Sequence, residues 1–578
     1  MTPPNIYQEP IWVYPKKNSE WQDAIIKEFN IHPVTAQILV SRGFGSLEEI
    51  HDYLYGKLPN LFDPFLFNDM DKAVSRIITA IDNKEGIVIY GDNDVDGMTA
   101  AALLTEFFRH IGAEVRFYIP ESTVQKKAVL SDALEYALKY NCSLMITVDC
   151  GITAATEIDH VVQHNVDVII TDHHEPTSRI PNCIATLNPK LVNSTYPNRN
   201  ICGVGVAFKL AHAITNYLMD NKLTNKTIDL KRYLDLVALG TISDMGALVG
   251  ENRILVRYGL NQLRKTKREG LIKLFQVCEV NVHKLLLMDV ASKVAPRLNS
   301  LGRIADPKKG VELLLIRNEQ AAQELAQELD LNNIERQKIE KIAAEQIDQE
   351  IAQNPDILQN KAIVLYSNNW HPGIIPIIAA RITKHYNRPT MLIAIEKGIG
   401  KGSIRTIPEF PLLKILKENE TLLINFGGHD FAAGLTIEEK NIEELKKNFI
   451  AKANQVLSDT DIQPKLYLDS EVDFNDLTFD FMESLNLLEP FGTENPVPLL
   501  YCNVTQTWAP KVVGQSHLKF YFEQQGKTLE GIGFNMAHRR HLLKRKNLLL
   551  KIAFTPHVNT FLNKTSIQLQ IRDFQILE

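Results

Sequence analysis

Residues 90–99 read YGDNDVDGMT, which sets Asp92, Asp94 and Asp96 at every second position and closes them with Gly97. Carboxylates this close repel one another. Such a run is either an exposed polar turn or a site that holds cations. Three further stretches carry the same chemistry: Asp149 in TVDCG, Asp172, His173 and His174 in TDHHEP, and Asp244 in GTISDMG. One such stretch alone is a weak signal, since an aspartate at a strand end is often only a helix cap. A calcium loop of the EF-hand type is excluded, because its twelfth position needs an acid and is Leu103 counted from Asp92. Taken jointly, four strand ends bearing acids or histidines predict one acidic rim with two imidazoles. Carboxylates with imidazole and no thiolate suit Mn²⁺ or Mg²⁺. Several carboxylates suit two such ions, with one aspartate bridging. The chemistry would be hydrolysis of a phosphoester or phosphoanhydride, with a non-ligating histidine stabilising the transition state or the departing oxygen.

Phosphate-binding features lie further along. GKGSIRT (400–406) offers Ser403 and Arg405. NFGGHDFAAG (425–434) offers Gly427, Gly428 and His429, with small residues read as the start of a helix. APRLNSLGR (295–303) adds Arg297, Asn299 and Arg303. Glycines let backbone N–H groups approach a phosphate, and an arginine can bind it through two hydrogen bonds. HRRHLLKRK (538–546) is a candidate nucleic-acid backbone contact, and Trp508, Tyr521 and Phe522 are candidates for base stacking, with core packing the competing fate of each ring.

These residues need a scaffold. The chain has 578 residues, 45% of them hydrophobic and 23% charged, with a net charge of −6. That length calls for several domains and that composition for a globular protein. From GIVIY (86–90) onward, apolar strands alternate with helices, the pattern of a doubly wound parallel sheet whose ligands sit at the carboxyl ends of its strands. The organisation expected is an N-terminal helical region (1–75), a catalytic domain (76–270), a helical connector with one long helix over 317–353 (271–355), a second α/β domain (356–455) and a barrel of short strands (462–578). The six cysteines form no CxxC pair, so reduced thiols are expected. No apolar run nears the ~20 residues of a membrane helix. The reading is of a soluble, cytoplasmic monomer with no membrane partner.

GDNDVDG, TVDCG, TDHHEP and GTISD resemble the four motifs of the DHH phosphoesterase superfamily, and GGHDFAAG resembles the signature of its DHH-associated domain. HPVTAQILVSRG, ICGVGVAFKLA, APRLNSLGR, WHPGIIPIIAARI and PFGTENP are similar, in order, to segments of the RecJ family of single-strand-specific exonucleases. The resemblance runs from about residue 10 to the C-terminus and includes an oligonucleotide-binding (OB-type) barrel. It implies a 5′→3′ exonuclease that degrades single-stranded DNA to 5′-mononucleotides in recombination and repair, with a helicase and a single-strand-binding protein as partners. It also implies that Asp94, Asp96, Asp149, His173 and Asp244 ligate the ions, that Asp149 bridges and that Asp92 supports them. His174 would assist catalysis, Ser403 and Arg405 would hold the 5′-phosphate, and His429 would lie near the scissile bond.

The sequence departs from the family pattern in places. Asn93 replaces a usual tyrosine, and Pro376 a usual glycine. In YIPESTVQKKAVLS (118–131), Ser122 stands at an arginine position and KKAVL replaces a glycine–tyrosine run, with Lys126 or Lys127 as substitutes. Relatives use this segment to bind the phosphate end and stack a base. A lost charge-assisted hydrogen bond would cost roughly 1.5–3 kcal/mol, so weaker end recognition with retained chemistry is expected. Two other readings compete: a phosphodiesterase of short oligonucleotides or dinucleotides, and a non-catalytic single-strand-binding scaffold.

Overall fold

The computed structural model describes residues 9–121, 129–224, 227–561 and 564–577. The atypical positions Ser122, Lys126 and Lys127 lie outside the described residues. The chain forms two compact units: residues 61–247 with 251–464, and residues 10–60 with 248–250 and 465–578.

The first unit opens with five parallel strands: β1 (Gly86–Gly91), β2 (Val115–Tyr118), β3 (Cys142–Val148), β4 (Asp167–Thr171) and β5 (Ala185–Leu187), in the order β2-β1-β3-β4-β5. The central strands read as unbroken apolar runs because both of their faces are buried. On one face Val88, Tyr90, Met145, Val168 and Ile170 pack against Leu134, Ala137, Ile158 and Val161 of helices Val129–Lys139 and Ala155–Gln163. Helices Met70–Asp82, Val95–Ile111 and Gly203–Asp220 cover the other. The sheet is therefore doubly wound. The strand order reverses beside β1, and the crevice beyond such a reversal is where open α/β sheets bind ligands.

Asp244 is not at a strand end, contrary to expectation. It is the C-cap of the helix Leu234–Ser243. That run is buried on almost every side, so it lacks the polar stripe that marks a helix in sequence. The long helix spans Glu319–Gln353, capped by the Asn318 side chain, which accepts from the Ala321 N–H.

The second sheet of this unit contains β6 (Ile363–Ser367), β7 (Thr390–Glu396), β8 (Ile399–Arg405), β9 (Leu423–His429) and β10 (Ala432–Glu438), ordered β9-β10-β8-β7-β6. Only the β6–β7 pair is parallel. The small residues of FAAG do not start a helix. They run along β10, where Gly427 pairs with Gly434 and His429 with Ala432 across the β9–β10 hairpin. Sheet pairing overrides the helix propensity of the two alanines.

In the second unit five strands close a barrel: Leu500–Gln506, His517–Gln524, Lys527–Gly533, Leu548–Phe561 and Lys564–Leu577. The first strand pairs with both the second and the fourth, the second with the third, and the fourth with the fifth, all antiparallel. The third and fifth run parallel and complete the ring, the connectivity of an OB-type barrel. The N-terminal helices, read from sequence as a separate region, share one hydrophobic core with this barrel: Ile38, Leu39 and Leu54 lie in one cluster with Phe520, Phe522 and Ile552. Trp12 Nε1 donates to Asp573 Oδ2 at 2.7 Å, and Ile11–Val13 pairs in parallel with Lys465–Tyr467.

Candidate metal centre and phosphate site

β1 ends at Gly91, and the chain enters the helix Val95–Ile111 through the aspartate loop. Asp94 is the N-cap, its Oδ1 accepting from the Gly97 N–H at 3.0 Å. Asp96 lies in the first turn and is buried. Both its oxygens accept backbone N–H groups from the start of the helix Gly203–Asp220: Gly203 at 2.7 Å and Val204 at 2.9 Å. A helix N-terminus favours negative charge, so ICGVG is what holds Asp96 in place. Sequence reading quoted that motif without giving it this task.

Asp149 follows β3 with φ of 61°, a left-handed conformation rare for a non-glycine residue. Its Oδ1 is buried and accepts no hydrogen bond. His173 Nε2 lies 3.0 Å from that oxygen and 3.9 Å from both Asp96 Oδ2 and Asp244 Oδ2. Gly203 makes room for the arrangement, since a Cβ there would stand 2.4 Å from Asp149 Oδ1.

The carboxylates and imidazoles gather in three overlapping groups: Asp96, His173 and Asp244; Asp92, Asp94 and Asp149; and Asp149, His173 and His174. Within each group one ligand atom per residue lies within 4.8 Å of the others. Asp149 belongs to two of the groups and so does His173. Burial pushes Asp149 and Asp96 well above the usual carboxylate range, and neighbouring carboxylates add to the rise. Burial with Asp94 raises Asp92 to about 7 and Asp244 to about 6. Burial and the adjacent His174 lower His173 to about 3, which leaves it a neutral imidazole, the form that ligates metal. An unpartnered buried carboxylate oxygen, a neutral imidazole and crowded acids fit divalent cations, whose charge is what the cluster lacks.

Asp172, read from sequence only as part of the acidic rim, has a more specific role here. Its Oδ1 receives His174 Nδ1 at 2.8 Å and the backbone N–H groups of His173 and His174, and its Oδ2 receives the Ile152 N–H. Burial acts to raise Asp172, but the His174 side chain and the N–H donors outweigh it and hold it below its ordinary value. Burial likewise acts to lower His174, and Asp172 overcomes this and pushes it up to about 9. Asp172 thus fixes the orientation of His174 and keeps it protonated. The rings of His174 and His429 stack with centroids 6.3 Å apart, which brings the second sheet's hairpin to the acidic rim.

Ser403 and Arg405 stand on β8. Arg405 Nη1 donates to Ser403 Oγ at 3.3 Å and to the Ile404 carbonyl at 2.9 Å. A cavity of about 330 Å³ is lined by Ser403, Arg405, Gly428, Lys401, Pro372 and Pro376 among others. Gly427 immediately precedes Gly428 on β9 and has open space at its Cβ position. Arg303 donates to the Gly373 carbonyl at 2.8 Å, and burial with the positive fields of Arg336 and Arg405 lowers its pKa. These three guanidiniums therefore share one electrostatic environment, and Arg336 is a member the sequence did not signal. Asn299 is half-buried on the same helix as Arg303, Ala295–Ile304. Arg297 is drawn off to other work, bonded to Asp330 on the long helix at 2.7 Å.

In the barrel, the basic run does not act as one patch. Arg539 is buried and bonds Asp573 at 2.6 Å, whereas Lys546 lies 4.5 Å from the ring centre of Trp508, which is 57% exposed. Phe522 is fully buried, which removes it as a stacking residue.

Family profiles match three regions of the chain: the DHH family N-terminal domain over residues 86–241, the DHHA1 domain over 359–459 and the RecJ OB domain over 468–573. The single-stranded-DNA-specific exonuclease RecJ of Bacillus subtilis is 34% identical over 572 residues, covering 98% of this chain and 71% of that protein. The chain belongs to the RecJ family. RecJ of Dickeya dadantii is 31% identical over 555 residues, covering 93% of this chain and 94% of that protein. The crystal structure of RecJ in complex with Mn²⁺ from Thermus thermophilus superposes with a TM-score of 0.84 at 26% identity, covering 98% of this chain and 80% of that one. The first two profiles enclose the parallel sheet and the mixed sheet of this RecJ-family chain, and the third covers its barrel up to residue 573 of the last strand. Among the described residues no helix is long and apolar enough to cross a membrane.

Proposed function

We propose that this RecJ-family protein is a metal-dependent exonuclease that hydrolyses single-stranded DNA from its 5′ end to 5′-mononucleotides, in recombination and repair. The observation that carries the proposal is Asp149: a buried carboxylate with one unpartnered oxygen, shared by two ligand groups and 3.0 Å from a neutral imidazole. Asp92, Asp94, Asp96, Asp149, His173 and Asp244 would hold two divalent ions, Mn²⁺ or Mg²⁺. Such ions supply charge compensation and Lewis-acid activation of water and phosphate.

The chain's own residues do the rest. His174, kept protonated by Asp172, faces the His429 ring and stabilises developing negative charge or protonates the leaving oxygen. Ser403 and Arg405 bind the terminal phosphate, and Gly427 and Gly428 allow close backbone approach beside it. Arg303 and Asn299 bind the strand between the phosphate end and the metal centre. The proposal includes a cytoplasmic monomer acting on strands supplied by a helicase and a single-strand-binding protein.

Single-stranded DNA labelled at its 3′ end, with the 5′ end phosphorylated or blocked, tests the reading in Mn²⁺. The wild type should give a ladder of shortening strands from the phosphorylated substrate, and Asp149→Ala should give none. Cleavage of the blocked strand at the same rate would contradict a 5′-end exonuclease.

A further inference from the structure

The helix Val95–Ile111 has a second end. Asp96 lies in its first turn at the metal centre, and Arg109 lies in its last. At 1.5 Å per residue the two are about 20 Å apart. Around Arg109 opens a groove of about 1260 Å³, walled also by Arg232, Lys265, Lys267, Arg268 and Arg317, with Leu314, Leu315 and Ile316 along it. This is larger than the ~300–1,000 Å³ that encloses a small ligand, and it suits an extended one.

The charge of the groove is not balanced. Glu106 binds Arg232 at 2.7 Å and Arg268 at 2.5 Å, and Asp235 binds Arg268 at 2.8 Å. Asp229 caps a turn, accepting from the Lys231 N–H at 3.0 Å. Asp229, which keeps its charge, and Glu269 are then the two acids of the lining without an ion pair among the described residues, against the four cations Arg109, Lys265, Lys267 and Arg317. Those four cations are exposed, and none makes an ion pair among the described residues. They come from three separate segments of a chain whose net charge is −6, so this is a local concentration of positive charge against the overall balance. The paired acids hold Arg268 and Arg232 in ion pairs at the wall of the groove.

We infer that this groove is a second binding surface for the phosphate backbone of nucleic acid, remote from the metal centre and used by substrates long enough to span both. The inference rests on the function proposed above, since that activity supplies the polyanion. Four unpaired cations in an open channel match a repeating phosphate chain, which releases counterions as each charge is neutralised. The span sets a length threshold. At the 3.4 Å per phosphate of a stacked strand, about 20 Å corresponds to about six nucleotides, and an unstacked strand covers it in fewer, so only substrates well below six nucleotides reach the metal centre without reaching the groove.

The test compares the full-length wild type with Arg109→Gln/Lys265→Gln/Lys267→Gln/Arg317→Gln. Each reports kcat/KM on a strand of about three nucleotides and one of about forty, across a salt series. The variant should lose about tenfold in kcat/KM on the long strand and keep the wild-type value on the short one. Its slope of log(kcat/KM) against log salt on the long strand should shrink by about 0.7 for each phosphate contact removed. Unchanged kinetics on the long strand would overturn the inference, as would an equal loss on both lengths. Unchanged long-strand kinetics with lost binding of poly-glutamate would assign the groove to an acidic protein instead. Hydrolysis of neither strand by the wild type would refute the proposed function, a result separate from these.

Discussion

Asp92→Asn should make the metal-free protein more stable and the metal-loaded protein less so. Asp92 is raised to about 7 by burial and by Asp94. Its carboxyl therefore holds a proton more tightly in the folded chain than in the unfolded one. A group of this kind favours the folded state fully below its unfolded pKa of about 4, and that contribution is lost as pH rises to about 7. Three pKa units at 1.36 kcal/mol each set an upper bound of about 4 kcal/mol for the cost of ionising Asp92 at pH 8. Sharing of charge with Asp94 lowers the realised figure, so about 2 kcal/mol is the expectation. Asparagine keeps the Oδ1 that accepts the Asn93 N–H at 2.7 Å and removes the charge. Melting temperature measured in EDTA across pH 4 to 8 should show wild type and variant level at the acid end. The variant should be higher by a few degrees at the alkaline end. Added Mn²⁺ should reverse the order, because the wild type gains the binding free energy of the ion and the variant has lost a ligand. Equal melting at pH 8 in EDTA, or equal stabilisation by Mn²⁺, would refute the view that these acids are a cation site held together against their own repulsion.

Asp172→Asn should remove the anion that keeps His174 protonated, lowering kcat about 10–100-fold and moving the alkaline limb of the kcat–pH profile to lower pH; a profile shaped like wild type would count against the His174 role. Gly203→Ala should weaken Mn²⁺ binding and activity together, because its Cβ would stand 2.4 Å from Asp149 Oδ1, and calorimetric titration with Mn²⁺ reads this directly. Ser403→Ala and Arg405→Lys should raise KM for 5′-phosphorylated strands at least about tenfold, the lower end of the roughly 1.5–3 kcal/mol of one hydrogen bond to a charged group, with kcat on unphosphorylated strands retained. A uniform loss on both substrates would place these two residues elsewhere in the reaction.

The acidic centre was legible because its acids and imidazoles sit where a parallel sheet must place them, at the carboxyl ends of β1, β3 and β4. Asp244 was read as a ligand but placed on the wrong element, since a helix buried all round offers no periodic polar face. The FAAG run was read as helical because alanine and glycine packing inside a hairpin depends on the partner strand, which local propensity does not encode. Arg539 counted as surface charge in sequence, and its ion pair with Asp573 spans 34 residues of chain. Trp12 and Asp573 lie 561 positions apart, a separation at which no local pattern signals contact. The Asp172 anchor was missed for another reason: in a DHH run the carboxylate was read with the ligands, and only the hydrogen bonds show that it serves His174.

The central claim is that the acid–histidine cluster holds two divalent ions and that hydrolysis depends on them. Counting Mn²⁺ per chain by calorimetric titration, in wild type and Asp149→Ala, with single-strand hydrolysis measured on the same samples, tests it most directly. The account predicts two ions and activity for the wild type, and loss of both the second ion and hydrolysis for Asp149→Ala. Two ions bound equally by both proteins, or hydrolysis by Asp149→Ala at the wild-type rate, would contradict it.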